Sequence, residues 1–274
     1  MSNKAGTEAE SARTRCNRFR RRILDISQQV SALHIGSAYS CTEIVDAIYF
    51  ELMRRDATGN SPDTFLMSKG HGCMIQYVIL EEMGVLSRHD MDRYCKAGGR
   101  LGCHPDYGNP GIAASTGALG HGLSMGLGMA YAEKTCGKEG VIYCVVSDGE
   151  VQEGSTWEAT MMASSLGISN LVAFMDNNDF QSLGRTSVTH PSFYPVVEKY
   201  TSFGWESVQV DGHDSAAIAN AVKSRKGDRP LMVVCKTTKG KGVSYMENIP
   251  IWHYRSPNVE EYKQAISELE QALQ

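Results

Sequence analysis

Two short polar clusters each follow an apolar segment, and their residue types suit the binding of a cation and an anion. The first cluster, SDGEVQEG at 147–154, follows the β-branched run 141–146. The second, DNNDF at 176–180, follows the apolar run 171–175. Carboxylate and amide oxygens are the ligands that Mg²⁺ and Ca²⁺ prefer, and Gly149 lets a backbone N–H approach an anion. The clusters therefore predict a metal-bridged diphosphate site.

An Asp-Gly pair on its own is usually a turn, and this is the structural alternative for Asp148-Gly149. A turn does not explain why two strand ends, separated by one helix, both carry polar clusters. The pair of clusters is therefore more informative than either cluster alone.

The two clusters meet only if their strands are neighbours in a parallel sheet, and the hydrophobic pattern predicts such a sheet. Strands are expected at 64–67, 141–146, 171–175, 206–210 and 231–235, and helices at 8–33, 42–53, 72–83, from about 120, 156–166, 192–202, 215–223 and in the tail from 257. Alternating strands and helices favour right-handed crossovers and a parallel sheet. Ligands bind at the carboxyl ends of such strands. We expect an α/β fold, a parallel sheet flanked by helices, in a single domain over residues 1–274.

Details within this pattern give further expectations. Thr42 is expected to be the N-cap of its helix, and the tail is expected to be a helix with Val259, Tyr262, Ile266, Leu269 and Leu273 on one face. The glycine-rich region 97–128 is expected to be irregular and functional. Small residues from Gly120 onward indicate a helix that packs closely on its neighbour.

Composition and charge exclude several classes of partner. The 274 residues carry a net charge of -4, which gives no general attraction to nucleic acid or to an anionic membrane. Residues 1–12 are polar, and no apolar stretch reaches the length of a membrane span. The eight cysteines form no CxxC pair, so a zinc or thioredoxin-type motif is not indicated. A cytoplasmic protein is expected.

Several motifs, in register along nearly the whole chain, resemble those of transketolases. Asp148-Gly149, followed after a helix and a strand by Asn177-Asn178, is similar to the thiamine-diphosphate motif Gly-Asp-Gly…Asn-Asn. Five further segments are similar to transketolases: DGEVQEGSTWEA at 148–159, SKGHG at 68–72, GCHPD at 102–106, STGALG at 115–120 and KGKGV at 239–243. The resemblance covers only the diphosphate-binding domain of a full transketolase.

The resemblance implies thiamine diphosphate as cofactor, with Mg²⁺ or Ca²⁺. It implies three metal ligands, the side chains of Asp148 and Asn178 and the carbonyl of Phe180. It implies diphosphate contacts from the amides of Gly149 and Glu150 and the side chain of His71. It also implies that the aminopyrimidine meets the backbone of Gly117 and Leu119.

The resemblance also assigns catalytic roles. Four histidines would surround the carbonyl of a sugar substrate: His34, His71, His104 and His253. Histidines donate to oxygen and accept protons near neutral pH, which suits transfer of a two-carbon ketol unit from an anionic ketose to an aldehyde. Glu153 matches a buried acid that couples to the site of a partner subunit. The remaining histidines His89, His190 and His213 are expected to be structural.

The implied partner is a C-terminal transketolase subunit that carries the pyrimidine domain and the catalytic glutamate, in an α2β2 assembly. Two alternatives remain open. One is the first subunit of a 2-oxo-acid dehydrogenase or decarboxylase, and the other is a non-catalytic regulatory subunit. The motifs around His71 and His104 favour a polyhydroxylated substrate over a 2-oxo acid, and the intact Asp148, Asn178 and Glu153 favour an enzyme.

Departures from the family pattern lie mainly in the substrate-facing segments. Leu33 and Ser147 stand where the family usually has glycine, His121 where it has glutamine, and Cys103 where it has a larger polar residue. His253 is followed by Tyr254 in place of the usual glycine-containing turn. An unusual donor or acceptor sugar is therefore expected.

Overall fold

Five parallel strands form the expected sheet in the computed structural model, which describes residues 10–182 and 184–273. This part of the chain contains seven strands in all: β1 Thr64–Met67, β2 Ile142–Ser147, β3 Leu171–Asn177, β4 Phe180–Gln181, β5 Gly184–Arg185, β6 Glu206–Asp211 and β7 Leu231–Lys236. The five-stranded order is β1-β2-β3-β7-β6, and β4 and β5 form a separate antiparallel pair. The expected α/β class is confirmed.

Helices cover both faces of the sheet. They are α1 Ala12–Ser27, α2 Ile35–Ser40, α3 Thr42–Ala47, α4 Cys73–Glu82, α5 Arg88–Asp92, α6 Gly122–Thr135, α7 Gly154–Ser165, α8 Thr186–Thr189, α9 Val196–Ser202, α10 Ser215–Lys223 and α11 Val259–Gln271. A π-helical turn, Ile48–Leu52, continues α3, and 3₁₀ turns lie at Gly70–Gly72, Glu150–Gln152, Pro191–Phe193 and Pro250–His253. Within residues 10–182 and 184–273, no helix is long and apolar enough to cross a lipid bilayer.

Successive residues of the central strands point into two different cores. On β2, Tyr143 and Val145 pack with α1, α3 and α4, whereas Cys144 and Val146 pack with α6, α7 and α9. All six residues of β2 are buried. A continuous apolar run is what a strand covered on both faces requires, and this explains why these strands were recognisable in the sequence.

Two details of the sequence-based prediction are wrong. The first helix ends at Ser27 and not at residue 33 (residues 8 and 9 lie outside the described residues), and a separate helix, α2, follows it. Thr42 does not cap α3 with its side chain, because its hydroxyl donates to the carbonyl of Ala38 at 2.9 Å. The tail helix α11 is present as expected: Leu269 is buried, and Tyr262 and Ile266 pack against the core, whereas Val259, and Leu273 beyond the helix end, are exposed.

The close packing expected of the helix after Gly120 is present at the start of α6. A Cβ added at Gly122 would lie 2.2 Å from the hydroxyl oxygen and 2.7 Å from the Cα of Ser68. Gly128, in the same helix, is exposed and would meet no atom within 4 Å. Gly122 therefore sets the distance between α6 and the end of β1, whereas Gly128 does not.

This difference gives a matched pair of substitutions. Gly122→Ala should lower the free energy of unfolding by about 1–3 kcal/mol, because the new methyl group overlaps the backbone of Ser68. Gly128→Ala should raise it by about 0.5–1 kcal/mol through helix propensity alone. Denaturant titration of both variants measures the two effects. Equal stabilities would show that α6 does not need the close approach at Gly122.

Candidate functional site

The carboxyl ends of four strands converge, and this brings the two polar clusters together. In the parallel β2–β3 pair, Ser147 lies opposite Asp176. The ends of β1 and β7 flank this pair and contribute Lys69 and Thr237. The expectation that neighbouring strands join the two clusters is therefore met by the sheet order.

Asp176 accepts more hydrogen bonds than any residue assigned from the sequence, although it was given no role there. Its buried carboxylate forms an ion pair with Lys69 and accepts from the hydroxyls of Ser40, at 2.5 Å, and Thr237. The Nδ2 of Asn178 also donates to it at 3.0 Å. Burial alone would raise the pKa of Asp176, but the charge of Lys69 and these donors lower it below its usual value. The carboxylate is therefore ionised.

The expected metal ligands lie beside this ion pair. The carboxylate of Asp148 is fully buried and accepts the backbone N–H groups of Gly149 at 2.9 Å and Asp179 at 2.6 Å. Because the Nδ2 of Asn178 faces Asp176, its Oδ1 faces the opposite way and accepts the N–H of Phe180 at 3.0 Å. The network with Asp176 thus fixes which atom of the amide is available as an oxygen ligand.

The chemistry of these donors fits a hard cation. Burial, and then the negative charge of Asp176, raise the pKa of Asp148 to about 8, and the positive charge of Lys69 offsets this rise only in part. The carbonyl oxygen of Phe180 lies 3.7 Å from the position of a Cβ added at Gly149. In the described part of the chain, no three His, Cys, Asp or Glu side chains could hold a metal, so a ligand set must include amide and carbonyl oxygens. Such mixed oxygen ligands suit Mg²⁺ or Ca²⁺.

The two amides expected to bind diphosphate already have partners within the chain. The N–H of Gly149 donates to its neighbour Asp148, and the N–H of Glu150 donates to the hydroxyl of Ser147 at 3.2 Å. Ser147 is the residue that replaces the usual glycine of the family. An anion at this position would therefore compete with the Ser147 hydroxyl for the Glu150 amide.

The side chain of Glu150 has a role that its sequence position did not suggest. Its buried carboxyl accepts from the hydroxyl of Ser68 at 2.5 Å and from the N–H of Gly120 at 3.0 Å. Burial raises the pKa of this carboxyl to about 7. Glu150 thus joins the end of β1 to the glycine-rich loop and positions the segment that contains Gly117 and Leu119.

A cavity of about 230 Å³ connects these groups to the histidines. The four expected histidines all line it, together with Gly117, Leu119, Gly149, Asn178 and Phe180. The ring of His34 lies 5.5 Å from that of His71, 5.7 Å from that of His104 and 5.2 Å from that of His253. Residues far apart in the sequence are therefore gathered around a single space.

The histidines in this cavity are neutral. Burial, with the charges of neighbouring groups, lowers the pKa of His34 to about 4 and that of His253 to about 3. Burial also lowers the pKa values of His71 and His104. A neutral imidazole carries one donor and one acceptor nitrogen, so the cluster can both donate to a sugar oxygen and accept a hydroxyl proton.

Close backbone contacts hold His104 in the cavity. The hydroxyl of Tyr77 donates to the carbonyl of His104 at 2.9 Å, and a Cβ at Gly117 would lie 2.7 Å from the His104 ring. Position 117 also has a φ of 130°, so its backbone conformation and its lack of space for a Cβ both favour glycine. The Sγ of Cys103 lies 3.2 Å from Nδ1 of His104. The substituted Cys103 thus contacts a histidine that faces the cavity.

The remaining assigned residues lie outside the cavity. Glu153 is exposed in this chain, so the buried acid implied by the resemblance would be buried only by a partner. His89 and His190 are exposed. His213 is part of the site's support, because it contacts Glu43 at 3.0 Å and accepts the N–H of Thr238 at 2.9 Å. No motif in the sequence linked His213 to the segment that follows β7.

Comparison with known proteins identifies the chain's relatives. The family described as "Transketolase, thiamine diphosphate binding domain" matches residues 11–264. The chain is 36% identical to one of the subunits of an apulose-4-phosphate transketolase from Phocaeicola vulgatus, over 97% of this chain and 96% of that protein. It is 34% identical to a 6-deoxy-6-sulfo-D-fructose transketolase subunit of a Clostridium species, over 93% and 94% of the two chains. These matches confirm the resemblance inferred from the motifs.

Solved structures show the same fold. The transketolase from Leishmania mexicana superposes with a TM-score of 0.89 at 25% identity and covers 96% of this chain. A transketolase from Pichia stipitis superposes with a TM-score of 0.87 at 27% identity. The chain spans only 42% and 41% of the lengths of these two proteins.

The neutral histidines predict a specific pH dependence of stability. Below its ordinary pKa of 6.5, His34 binds a proton in the unfolded chain but not in the folded chain until the pH approaches 4. Stability should therefore fall as the pH drops from 6.5 to 4. Between pH 6.5 and 4, the free energy of unfolding should fall less in His34→Asn than in wild type, by on the order of 1–3 kcal/mol. Denaturant titrations at several pH values, with the exposed-site variant His89→Asn as control, measure the effect. Superimposable pH profiles for wild type and His34→Asn would contradict the assignment of a neutral, partly buried His34.

Proposed function

Since the chain belongs to the transketolase family, of which it carries the thiamine-diphosphate-binding domain, we propose that it is the first subunit of a two-chain ketol-transferring enzyme. The supporting observation is that Asn178, Phe180 and the four neutral histidines line one cavity, which also reaches Gly149 beside the buried Asp148. One end of this cavity suits a metal-bound diphosphate, and the other suits a polyhydroxylated substrate.

The cofactor would be held by residues from both clusters. Asp148, Asn178 and the carbonyl of Phe180 would ligate Mg²⁺ or Ca²⁺, and the amides of Gly149 and Glu150 would bind the diphosphate together with His71. The backbone of Gly117 and Leu119 would meet the aminopyrimidine. When bound, thiamine diphosphate supplies the electron sink for cleavage of the bond between C2 and C3 of a ketose.

The histidines would orient the sugar and move its protons. With pKa values below the neutral range, His34 and His253 would hold sugar oxygens without carrying a charge of their own. His104, held by Tyr77 and Gly117, would bind the hydroxyl that loses its proton during cleavage. A general base must be unprotonated at the working pH, and a neutral imidazole meets this condition.

The two alternative functions are not favoured. A 2-oxo-acid dehydrogenase or decarboxylase subunit would not need four histidines around a polyhydroxylated substrate. A non-catalytic subunit would not need the complete set formed by Asp148, Asn178 and the histidines. The relatives named after transketolases point in the same direction.

The donor sugar that we propose is an anionic ketose. The two relatives are named for apulose 4-phosphate and for a sulfonated deoxyfructose, and both of these sugars are anionic. Cys103 contacts His104, and the ring of Tyr254 lies 4.6 Å from that of His34. These two departures from the family pattern would therefore influence the substrate specificity of the site.

We further propose that a second subunit completes the site in an α2β2 enzyme. The relatives are named as subunits, and the full-length transketolases are more than twice as long as this chain. Glu153 is exposed next to Gly120, and four large apolar side chains are exposed on the adjacent helices α6 and α7: Met125, Tyr131, Met161 and Met162. This surface would contact the pyrimidine domain.

The eight cysteines of the chain are all free, which suits a protein of the reducing cytoplasm.

Three alanine variants separate cofactor binding from catalysis. Asp148→Ala or Asn178→Ala should abolish metal-dependent binding of thiamine diphosphate, because each removes an oxygen ligand. His104→Ala should keep that binding and lose roughly a hundredfold in turnover. Calorimetry and a transfer assay, with His190→Ala as the exposed-histidine control, distinguish the two. Unchanged cofactor affinity in Asp148→Ala would disprove the metal assignment.

The split-enzyme proposal predicts that the pure chain is inactive. The catalytic glutamate that faces the pyrimidine ring would belong to the second subunit, so metal, thiamine diphosphate and ketose phosphates should give no turnover with this chain alone. Adding the second subunit should restore activity on anionic ketoses and not on 2-oxo acids. Full turnover by the purified single chain would refute the proposal.

A further inference from the structure

The thiol of Cys103 is the hydrogen-bonding partner of the His104 ring. Its Sγ lies 3.2 Å from Nδ1 of His104. Among residues 10–182 and 184–273, no other polar atom lies within hydrogen-bonding distance of this ring. His104 lines the cavity, and Cys103 is not one of the described residues that line it. The thiol therefore meets the ring from outside the cavity, and Nε2 is left to face a ligand.

Side chains of α4 hold the backbone of this pair, so the thiol and the ring stay together. The Sγ of Cys73 lies 3.4 Å from the carbonyl oxygen of Cys103. The hydroxyl of Tyr77 donates to the carbonyl of His104 at 2.9 Å. At the ring edge opposite Nδ1, a Cβ added at Gly117 would lie 2.7 Å from Cδ2 of His104. The ring is thus confined between Cys103 and Gly117, and its Nδ1 keeps the same neighbour.

A thiol beside a neutral imidazole allows two arrangements of the protons, because sulfur is both a weak donor and a weak acceptor. In the first, Nδ1–H donates to the sulfur, and Nε2 keeps a free lone pair. In the second, the S–H group donates to Nδ1, and Nε2 carries the proton and can only donate. Only the first arrangement lets His104 take the proton of a sugar hydroxyl, which is its role in the proposed function.

We propose that Cys103 is a positioning residue that holds His104 in the Nδ1–H tautomer, so that Nε2 accepts a proton from the substrate. In this transfer the O–H bond of the sugar breaks, an N–H bond forms at Nε2, and the electron pair stays on the sugar oxygen. The imidazolium that results has two N–H groups, and the sulfur still accepts the one at Nδ1. Cys103 is a departure from the family pattern, so the resemblance itself does not supply this role. The inference rests on the proposed function.

The tautomer of His104 can be observed directly in the full chain with ¹⁵N-labelled histidine, because protonated and bare ring nitrogens have different chemical shifts. The signals of His104 are those missing from the spectrum of His104→Ala. Near neutral pH, the ring should carry its proton on Nδ1 in wild type. In Cys103→Ala, the population should shift toward the Nε2–H tautomer, which a histidine side chain prefers in water. A wild-type ring with its proton on Nε2 would overturn the inference, whatever the activity of the enzyme.

Kinetics of the assembled two-subunit enzyme give a second readout, with the ketose phosphate that wild type turns over fastest. Cys103→Ala should lower kcat about tenfold and leave KM unchanged, because an Nε2–H group still binds a sugar oxygen but cannot take a proton. Cys103→Ser should restore most of the wild-type kcat, because a hydroxyl also accepts the Nδ1–H. Cys136→Ala removes an exposed thiol at the end of α6 and should match wild type.

The outcomes separate this inference from the proposed function. A wild-type kcat in folded Cys103→Ala, or equal losses of kcat in the alanine and serine variants, would overturn the role of Cys103 alone. A rise in KM as large as the fall in kcat would show a packing effect and would overturn it too. If neither variant folds, the tautomer of His104 in wild type decides. A wild-type enzyme that binds thiamine diphosphate but turns over no anionic ketose would overturn the proposed function, and this inference with it.

Discussion

The buried ion pair between Lys69 and Asp176 is the interaction on which the geometry of the site depends. It links the end of β1 to the end of β3, and the hydroxyls of Ser40 and Thr237 add α2 and β7 to the same carboxylate. Removing two charges from water is costly, and a buried pair is tolerated only when its remaining hydrogen-bonding groups are satisfied. Here the additional donors meet that requirement. Because Asn178 also donates to Asp176, the orientation of an expected metal ligand follows from the pair.

Burial has opposite consequences for the acids and the bases around this pair. It raises the pKa of Asp148 and lowers the pKa values of the cavity histidines, so both kinds of group favour their uncharged forms. A cation bound by Asp148 would stabilise its carboxylate, and an anion would stabilise the ammonium of Lys239, which is buried and lines the same cavity. Each ion alone would leave one charge unbalanced in a buried space. Metal and diphosphate should therefore bind cooperatively.

The parts of the site that could be predicted from the sequence are those that local patterns determine. The fully buried strands have continuous apolar runs, and the polar residues that end them mark the sheet edge at Ser147 and Asp176. The helix α2 was missed because its six residues are buried on all sides and show no amphipathic period. The partners of Lys69, Glu150 and His213 lie tens of residues away or more, and no local pattern indicates such pairs. Their roles became visible only when the strands were in register.

The contacts within the chain indicate which end of the cavity would need a partner subunit. The residues placed at the charged end of the cavity are buried and linked in turn: the N–H of Asp148 donates to the carbonyl of Asp176, and the carboxylate of Asp176 pairs with Lys69. The residues placed at the pyrimidine end offer mainly backbone atoms, and Glu153 beside them is exposed. In the proposed enzyme, this chain would hold the metal and the diphosphate, and it would meet the pyrimidine with the backbone of Gly117 and Leu119. The second subunit would then enclose the pyrimidine and supply the acid that the pyrimidine requires. The reacting end of the cofactor, and not its charged end, is therefore the part that would depend on assembly.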